Sequence, residues 1–385
     1  MKKIKTGLFF STVSYIFFYV ITKIFFKKLR QKNIWLIWER NDEARDNSYH
    51  LFKYIRENHK EINIYYVINK KCADREKIEK YSNIINFASI KHYIYYMCAT
   101  LLISTHYYVY EINPRVFKKL NNIFKIQAKK VFLQHGIIMN MLTHVIYPKL
   151  RVGLFICGAK PEYEYIRNVF GYPAEIAVYT GLARYDNLLD FEVKNEILIM
   201  PTWRSWLYQL SDSEFVNSEY YYSFNNLLKN TELNMLLEKY NFQLIFYPHY
   251  EMHKFLHLFS ADSKNIIFAK KENYDVQQLL KESALLITDY SSIHFDFAYM
   301  KKPILYYQFD EKSFYGKHYI KGYFDFTNNG FGEVVFNIDD LLKELKVYFE
   351  NNFHMKEKYL KRVQEFFPIY DMNNCKRNFE AILNI

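Results

Sequence analysis

The sequence predicts an α/β protein built of two doubly wound domains that face each other across a cleft. Three observations predict it. The chain has 385 residues, more than one hydrophobic core ordinarily organises. Short, continuous apolar runs alternate with amphipathic helical patterns, as expected of parallel βαβ units whose strands are buried on both faces. The alternation also restarts after a break at 182–195, so each half has its own series of strands.

In the first half, IWLIWER (34–40) reads as a buried strand and SYHLFKYIRENH (48–59) as an amphipathic helix. NIYYVIN (63–69), TLLIST (100–105), KKVFLQHG (129–136) and VGLFICG (152–158) read as further strands, and KPEYEYIRNVFG (160–171) as a helix. The second half repeats the scheme with EILIMPTW (196–203), FQLIFYPHY (242–250), NIIFAK (265–270), ALLITDY (284–290) and PILYYQFD (303–310). The expected segments are a membrane-associating stretch over 1–32, one Rossmann-like domain over 33–186, a second over 187–360, and a terminal helix over 361–385 packing back across the domains. There is no internal repeat and no low-complexity tract.

Charge and cysteine usage narrow the function classes. The net charge is +11, but residues 1–32 hold eight Lys/Arg and no acid, which leaves the rest nearly balanced. A nucleic-acid footprint would form a basic stripe within the folded domains, so no nucleic acid is expected. The excess flanks the uncharged stretch TGLFFSTVSYIFFYVIT (6–22), which reads as a helix lying on an anionic cytoplasmic leaflet. Docking on the protein's own core and spanning the bilayer are the alternatives. Cys72, Cys98, Cys157 and Cys375 form no CxxC pair, which argues against zinc or a disulfide framework and fits a reducing cytosol. No signal-peptide cleavage pattern follows the apolar stretch, so secretion is not expected.

Several strand ends carry chemistry. In LLITDYSSIHFDF, a strand ending at Thr288 delivers Asp289, Ser291 and Ser292 to the start of a helix, with Asp296 in its first turns. The carboxyl edge of a parallel sheet is where such folds bind ligands, and a helix start offers free N–H groups to an anion. Ordinary caps and a turn carboxylate are the plainer reading. In FLQHGI, His135 ends a strand beside Gly136, and histidine is the usual general base, although a lone His before Gly is often structural. His249 follows the strand FQLIFY and could neutralise phosphate charge or assist a leaving group. In PTWR, Thr202 offers a hydroxyl and Arg204 a phosphate-matching guanidinium, or else a surface ion pair. Gly330 and Gly332 in NNGFGEVVF suit close backbone approach to a nucleotide, or a plain turn. No DxD at a strand end, HExxH or paired cysteines suggest a metal site.

Taken in order, EARDNSYHLFKYI (43–55), LISTH (102–106), FLQHGI (132–137), GAKPEYEYI (158–166), TGLARYDNL (180–188), ILIMPTWR (197–204), YPHY (247–250) and LLITDYSSIHFDFAYMKKPILYY (285–307) resemble the CDP-glycerol glycerophosphotransferases of teichoic-acid synthesis. The resemblance covers 34–385. It implies a GT-B-like fold and transfer of glycerol phosphate, or a related polyol phosphate, from a CDP-activated donor to a hydroxyl of a lipid-linked or polysaccharide acceptor. It also implies catalysis by His135 and His249, with the serines gripping the donor pyrophosphate. No cofactor and no metal is expected, and the location implied is the cytoplasmic face of the membrane, peripherally attached. The sequence departs from the family at YPHY, where many members have His-Pro, at Ile137-Ile138 after the glycine, and at YDMNNCKRNFEAIL (370–383), which lacks a usual glycine. In that last segment only Asn374, Lys376 or Arg377 carries over as a candidate. A nucleotide-sugar glycosyltransferase and a non-catalytic binder of anionic polymers are the competing classes. Release of a nucleoside diphosphate would mark the first, and indifference to loss of His135 the second.

Overall fold

The structure, a computed structural model, describes residues 2–107 and 112–385; the side chains of Lys2, Lys3 and Lys5 lie outside that description. The chain divides into two compact units. The first comprises Met1–Ile137, Thr143–Asn187 and Asp371–Ile385, the second Ile138–Leu142 and Leu188–Tyr370.

The first unit holds a parallel sheet of seven strands: β1 (Ile34–Trp38), β2 (Asn63–Ile68), β3 (Ile84–Asn86), β4 (Leu101–Ser104), β5 (Lys129–Phe132), β6 (Leu154–Cys157) and β7 (Ala177–Tyr179). Their spatial order is β3-β2-β1-β4-β5-β6-β7. The second unit holds six parallel strands: β8 (Glu196–Met200), β9 (Gln243–Phe246), β10 (Ile266–Phe268), β11 (Leu285–Thr288), β12 (Ile304–Tyr307) and β13 (Gly332–Val335). Their order, β10-β9-β8-β11-β12-β13, repeats the winding of the first. Each sheet reverses its direction of winding once, between β1 and β4 and between β8 and β11. Trp38 pairs with Ser104 at the first of these points and Met200 with Thr288 at the second. Folds of this kind bind ligands outside the strand ends at such points.

β3, β7 and β13 were not among the strands expected from the sequence. All three lie at sheet edges and span only three or four residues. β13 also corrects the reading of NNGFGEVVF as a ligand-approach loop. A Cβ on Gly332 would fall 1.8 Å from the Ile304 carbonyl oxygen across the ladder, and one on Gly330 2.0 Å from that of Phe326. Both glycines are required by close backbone packing inside the second unit. Gly332→Ala is therefore expected to cost about 1–3 kcal/mol by overpacking, read as a lowered urea midpoint with no change in donor affinity.

The cores follow the strands. Trp35, Ile37, Ile103, Val131 and Ile156 pack under the helix Asn47–Asn58, and Ile197, Ile199, Phe246, Leu285 and Ile287 form the centre of the second unit. The terminal segment is split differently from expectation. The helix Glu357–Phe366 stays with the second unit, whereas Asn374–Leu383 packs on the first. Asp186 caps that last helix, accepting from the backbone N–H groups of Asn374 and Cys375 at 2.8 Å each. Arg377 Nε donates to the Thr180 carbonyl at 2.9 Å, and Asn378 Nδ2 to that of Gly181 at 2.9 Å. Asn374 and Arg377, candidates for substrate contact, thus clamp the 180–187 segment.

The N-terminal helix Lys2–Phe25 has two stripes. Tyr15 and Thr22 are buried. The Tyr15 hydroxyl donates to the Phe124 carbonyl at 2.7 Å, and Phe18 stacks on Tyr93 at 4.8 Å. The opposite stripe, Phe10, Val13, Phe17, Val20 and Ile24, is exposed. Among the described residues no helix is long and apolar enough to cross a membrane, so the spanning alternative is not supported. The helix is docked on its own unit through one stripe and left apolar on the other.

Candidate active site

The first unit assembles its site around the turn after β1. Glu39, fully buried, accepts the backbone N–H groups of Asp46 (2.7 Å), Arg45 (2.9 Å) and Tyr49 (2.9 Å), which fixes the start of the helix Asn47–Asn58. Burial, reinforced by the nearby Asp46 charge, pushes the Glu39 carboxyl well above its usual range. Asp46 is the N-cap of that helix, and its Oδ1 accepts from Asn47 N at 2.7 Å. The same oxygen receives Arg184 Nη1 at 2.9 Å.

The other oxygen of Asp46, Oδ2, lies 2.5 Å from His135 Nδ1. Burial alone would raise the Asp46 pKa; His135 and Arg184 overcome it and hold the carboxylate well below the usual range. An ionised Asp46 can only accept, so Nδ1 of His135 is the donor. Nε2 is then the ring nitrogen left to take a proton. The His135 side chain is 64% exposed, so an acceptor hydroxyl can reach it.

The backbone that aims His135 is itself unusual. Gln134 adopts φ +61°, a left-handed conformation uncommon outside glycine. Its side chain donates to the Ile156 carbonyl at 2.5 Å, and its carbonyl accepts from Asn47 Nδ2 at 2.7 Å. Arg184 Nη1 also donates to the His135 carbonyl at 2.7 Å. His106, at the end of β4, stacks on the His135 ring at 4.8 Å. Burial first, and the neighbouring His135 second, push its pKa far down and keep it neutral. A histidine held by a carboxylate, backed by a second ring and locked by an arginine has the fixed orientation that general-base chemistry asks for. Gly136 follows it, half-buried.

The sequence reading assigned no role to Asp46, Arg184 or His106, though all three fall inside quoted motifs. An aspartate before a helical pattern signals an N-cap; its pairing with a histidine 89 positions away leaves no local trace.

In the second unit, Asp289 gathers the loops at the β8/β11 point. Its Oδ1 accepts from Thr202 N (2.8 Å), Thr202 Oγ1 (2.7 Å) and Tyr290 N (2.6 Å). Its carbonyl accepts from Gln308 Nε2 at 2.9 Å. The Thr288 hydroxyl donates to the Met200 carbonyl at 2.6 Å.

Arg204, expected on a phosphate, is fully buried. Its Nε and Nη2 form a fork on Asp310 at 2.7 and 2.8 Å, Nη2 pairs with Asp289 at 2.9 Å, and Nη1 donates to the Thr202 carbonyl at 2.7 Å. Phe314, Tyr290 and Tyr220 enclose the guanidinium at 4.9–5.3 Å. Thr202, Arg204, Thr288, Asp289 and the buried Asp296 therefore stand behind the surface and shape the turn; this corrects their assignment to direct substrate contact.

Ser291 and Ser292 remain half-buried at the turn. Ser292 is the N-cap of the short helix Ile293–Tyr299 and makes no side-chain cap bond. Ser291 Oγ accepts from Ile293 N only at a long 3.4 Å. His249 is half-buried after β9, with its backbone N–H on the Pro201 carbonyl at 3.2 Å and its ring stacked on Trp203 at 5.9 Å. His249 Nδ1 accepts from Glu251 N at 3.3 Å, which places the proton of the neutral ring on Nε2. No group of His, Cys, Asp and Glu suited to a metal ion occurs among the described residues.

Two doubly wound units, one carrying a carboxylate-held histidine and the other a pinned hydroxyl-bearing turn, define an α/β protein of paired Rossmann-like units. The fold is shared with the wall teichoic acid polymerase TagF, at TM-score 0.67 and 17% identity over 97% of each chain. The sequence is 34% identical over 374 residues to the minor teichoic acid biosynthesis protein GgaB of Bacillus subtilis (strain 168), matching 94% of this chain and 41% of that protein. It is 29% identical over 191 residues to a teichoic acid poly(glycerol phosphate) polymerase of Bacillus spizizenii, matching 49% of this chain and 45% of that one. The matches thus span less than half the length of these curated relatives. The profile of the CDP-glycerol:poly(glycerophosphate) glycerophosphotransferases matches residues 18–384, and the chain belongs to that family.

Proposed function

We propose that this chain transfers glycerol phosphate, or a related polyol phosphate, from a CDP-linked donor to a hydroxyl of a lipid-linked or polysaccharide acceptor in teichoic-acid-like polymer synthesis. Family membership supports the reaction class, and the Asp46–His135 pair is the observation that carries it to this chain. A structure of TagF, which shares this fold, was soaked with CDPG. Nε2 of His135 takes the proton of the acceptor hydroxyl as its oxygen attacks the polyol-bearing phosphorus. The bond from that phosphorus to the bridging oxygen breaks, CMP leaves, and a phosphodiester remains. Ser291, Ser292 and His249 hold the donor's pyrophosphate, His249 by donating from Nε2, the nitrogen left with the proton when Nδ1 accepts from Glu251 N. Phosphoryl transfer asks for positioning and charge stabilisation, which these groups supply without a metal.

In this reading the protein is attached peripherally to the cytoplasmic membrane surface, which the exposed apolar stripe of the N-terminal helix and its flanking lysines support. Deleting residues 1–32 is a poor test of that attachment, because it would also remove buried Tyr15 and the Phe18–Tyr93 stack.

Incubation with CDP-glycerol, CDP-ribitol and UDP-sugars plus candidate acceptors, followed by mass spectrometry, tests the reaction. CMP and a phosphodiester product are expected, with turnover unchanged by EDTA. Release of a nucleoside diphosphate, or no release from any CDP-polyol, would refute the proposal.

A further inference from the structure

The first unit contains a cavity of about 350 Å³ at the amino ends of its strands, opposite the edge that carries His135. Asn33 and Trp35 at the start of β1, Thr100 and Leu101 at the start of β4, and Lys129 at the start of β5 line it. The second half of the N-terminal helix, through Tyr19, Thr22 and Lys23, forms one wall. Four cations converge there from separate segments: Lys23, Arg30, Lys125 and Lys129. All four are exposed, and no acidic side chain lines the cavity among the described residues; Ile385, the last residue of the sequence, also lines it. Lys23 Nζ lies 4.5 Å over the Tyr19 ring, an arrangement that leaves its charge without a carboxylate. Trp35, Met97, Leu101 and Ile126 add apolar groups to the lining. The helical turns that wall the cavity carry Phe17, Val20 and Ile24 on their exposed face.

We infer that this cavity holds the phosphate head group of an anionic membrane phospholipid, gripped by Lys23, Arg30, Lys125 and Lys129 while its chains run along the exposed stripe of the N-terminal helix. Three features single out an amphiphile. The cations match a phosphate, apolar side chains stand among them in the lining, and the adjoining stripe has an unmet apolar surface. Lys125 and Lys129 lie far from the N-terminal helix in sequence, so the basic flank of the helix alone does not account for them. The cavity also sits at the edge away from the catalytic histidine, so the lipid it binds anchors the enzyme and is not consumed. This inference rests on the reading that the helix meets a membrane.

The test uses the full chain, with flotation on phosphatidylcholine vesicles with or without phosphatidylglycerol, and native mass spectrometry with soluble short-chain phosphatidylglycerol. Wild type is expected to float with the anionic vesicles and to bind the short-chain lipid. Lys125→Gln/Lys129→Gln should weaken vesicle binding about twenty-fivefold, since each interfacial lysine contributes roughly fivefold, and should abolish short-chain lipid binding. CMP release with a soluble acceptor should be unchanged in that variant, which separates its outcome from failure of the proposed reaction. Val20→Ser/Ile24→Ser should weaken flotation yet retain the short-chain lipid. The inference is overturned if the lysine variant behaves as wild type in both assays, or if wild type binds neither vesicle nor short-chain lipid. Displacement of the lipid by millimolar inorganic phosphate would also overturn it, in favour of a free-phosphate site. Short-chain lipid binding without vesicle binding would support the cavity and overturn the membrane reading instead.

Discussion

His135→Ala is expected to lower turnover by roughly 10²–10⁴-fold, the usual worth of a positioned general base, while the unfolding midpoint barely moves. The side chain is 64% exposed, and its removal leaves the Asp46–Arg184 pair intact, so little packing is lost. Asp46→Asn should forfeit much of the same turnover for a different reason. An amide carries no charge to stabilise the imidazolium that forms on proton transfer, and it no longer dictates which ring nitrogen bears the proton. It should also lower stability, unlike His135→Ala, because the nearly buried Arg184 guanidinium loses its charge partner; helix capping itself survives, since asparagine caps as well as aspartate. The double variant should be scarcely slower than the worse single one, because the two residues act as a unit. Steady-state kinetics of CMP release beside urea unfolding of the three variants decides the matter. Independent, multiplying losses would show that the pair does not work as one base.

Arg204→Leu is expected to cost about 3–5 kcal/mol of stability, because it strands the Asp289 and Asp310 carboxylates in a dry interior. The effect on donor binding follows indirectly. Asp289 loses the cation that balances it, and the turn presenting Ser291 and Ser292 loosens. Arg204→Lys should fall between, since one ammonium cannot form the fork with Asp310 and still reach Asp289. A direct phosphate contact predicts the reverse pattern, with unchanged unfolding and a selective loss of donor affinity. Denaturant titration compared with donor binding separates the two. Retained stability in Arg204→Leu would return this residue to the substrate.

The succession of strands and the reach of each motif towards a strand end are legible in the amino acids, whereas the spatial order of the strands is not. Buried parallel strands write themselves as unbroken apolar runs, and IWLIW, LLIS and LLIT each stand between turn residues. The same logic places His135 and the serine pair at sheet edges, because chain direction alone determines which end of a parallel strand a following residue occupies. Ala177–Tyr179 escaped, although the equally short edge strand Ile266–Phe268 did not. Burial of polar side chains is invisible in a linear string. Arg204 has the same composition whether it meets solvent phosphate or two aspartates, and only packing of Tyr220, Tyr290 and Phe314 around it chose the latter. Partnership over long separations is equally silent. Asp46, His106, His135 and Arg184 come from four loops, and only closing the sheet brings them into contact. Local sequence determined the strands and the residue types at their ends. Tertiary structure decided which of those residues stay accessible and which are buried behind them, because charge and hydrogen-bond partners are settled by distances that the chain acquires on folding.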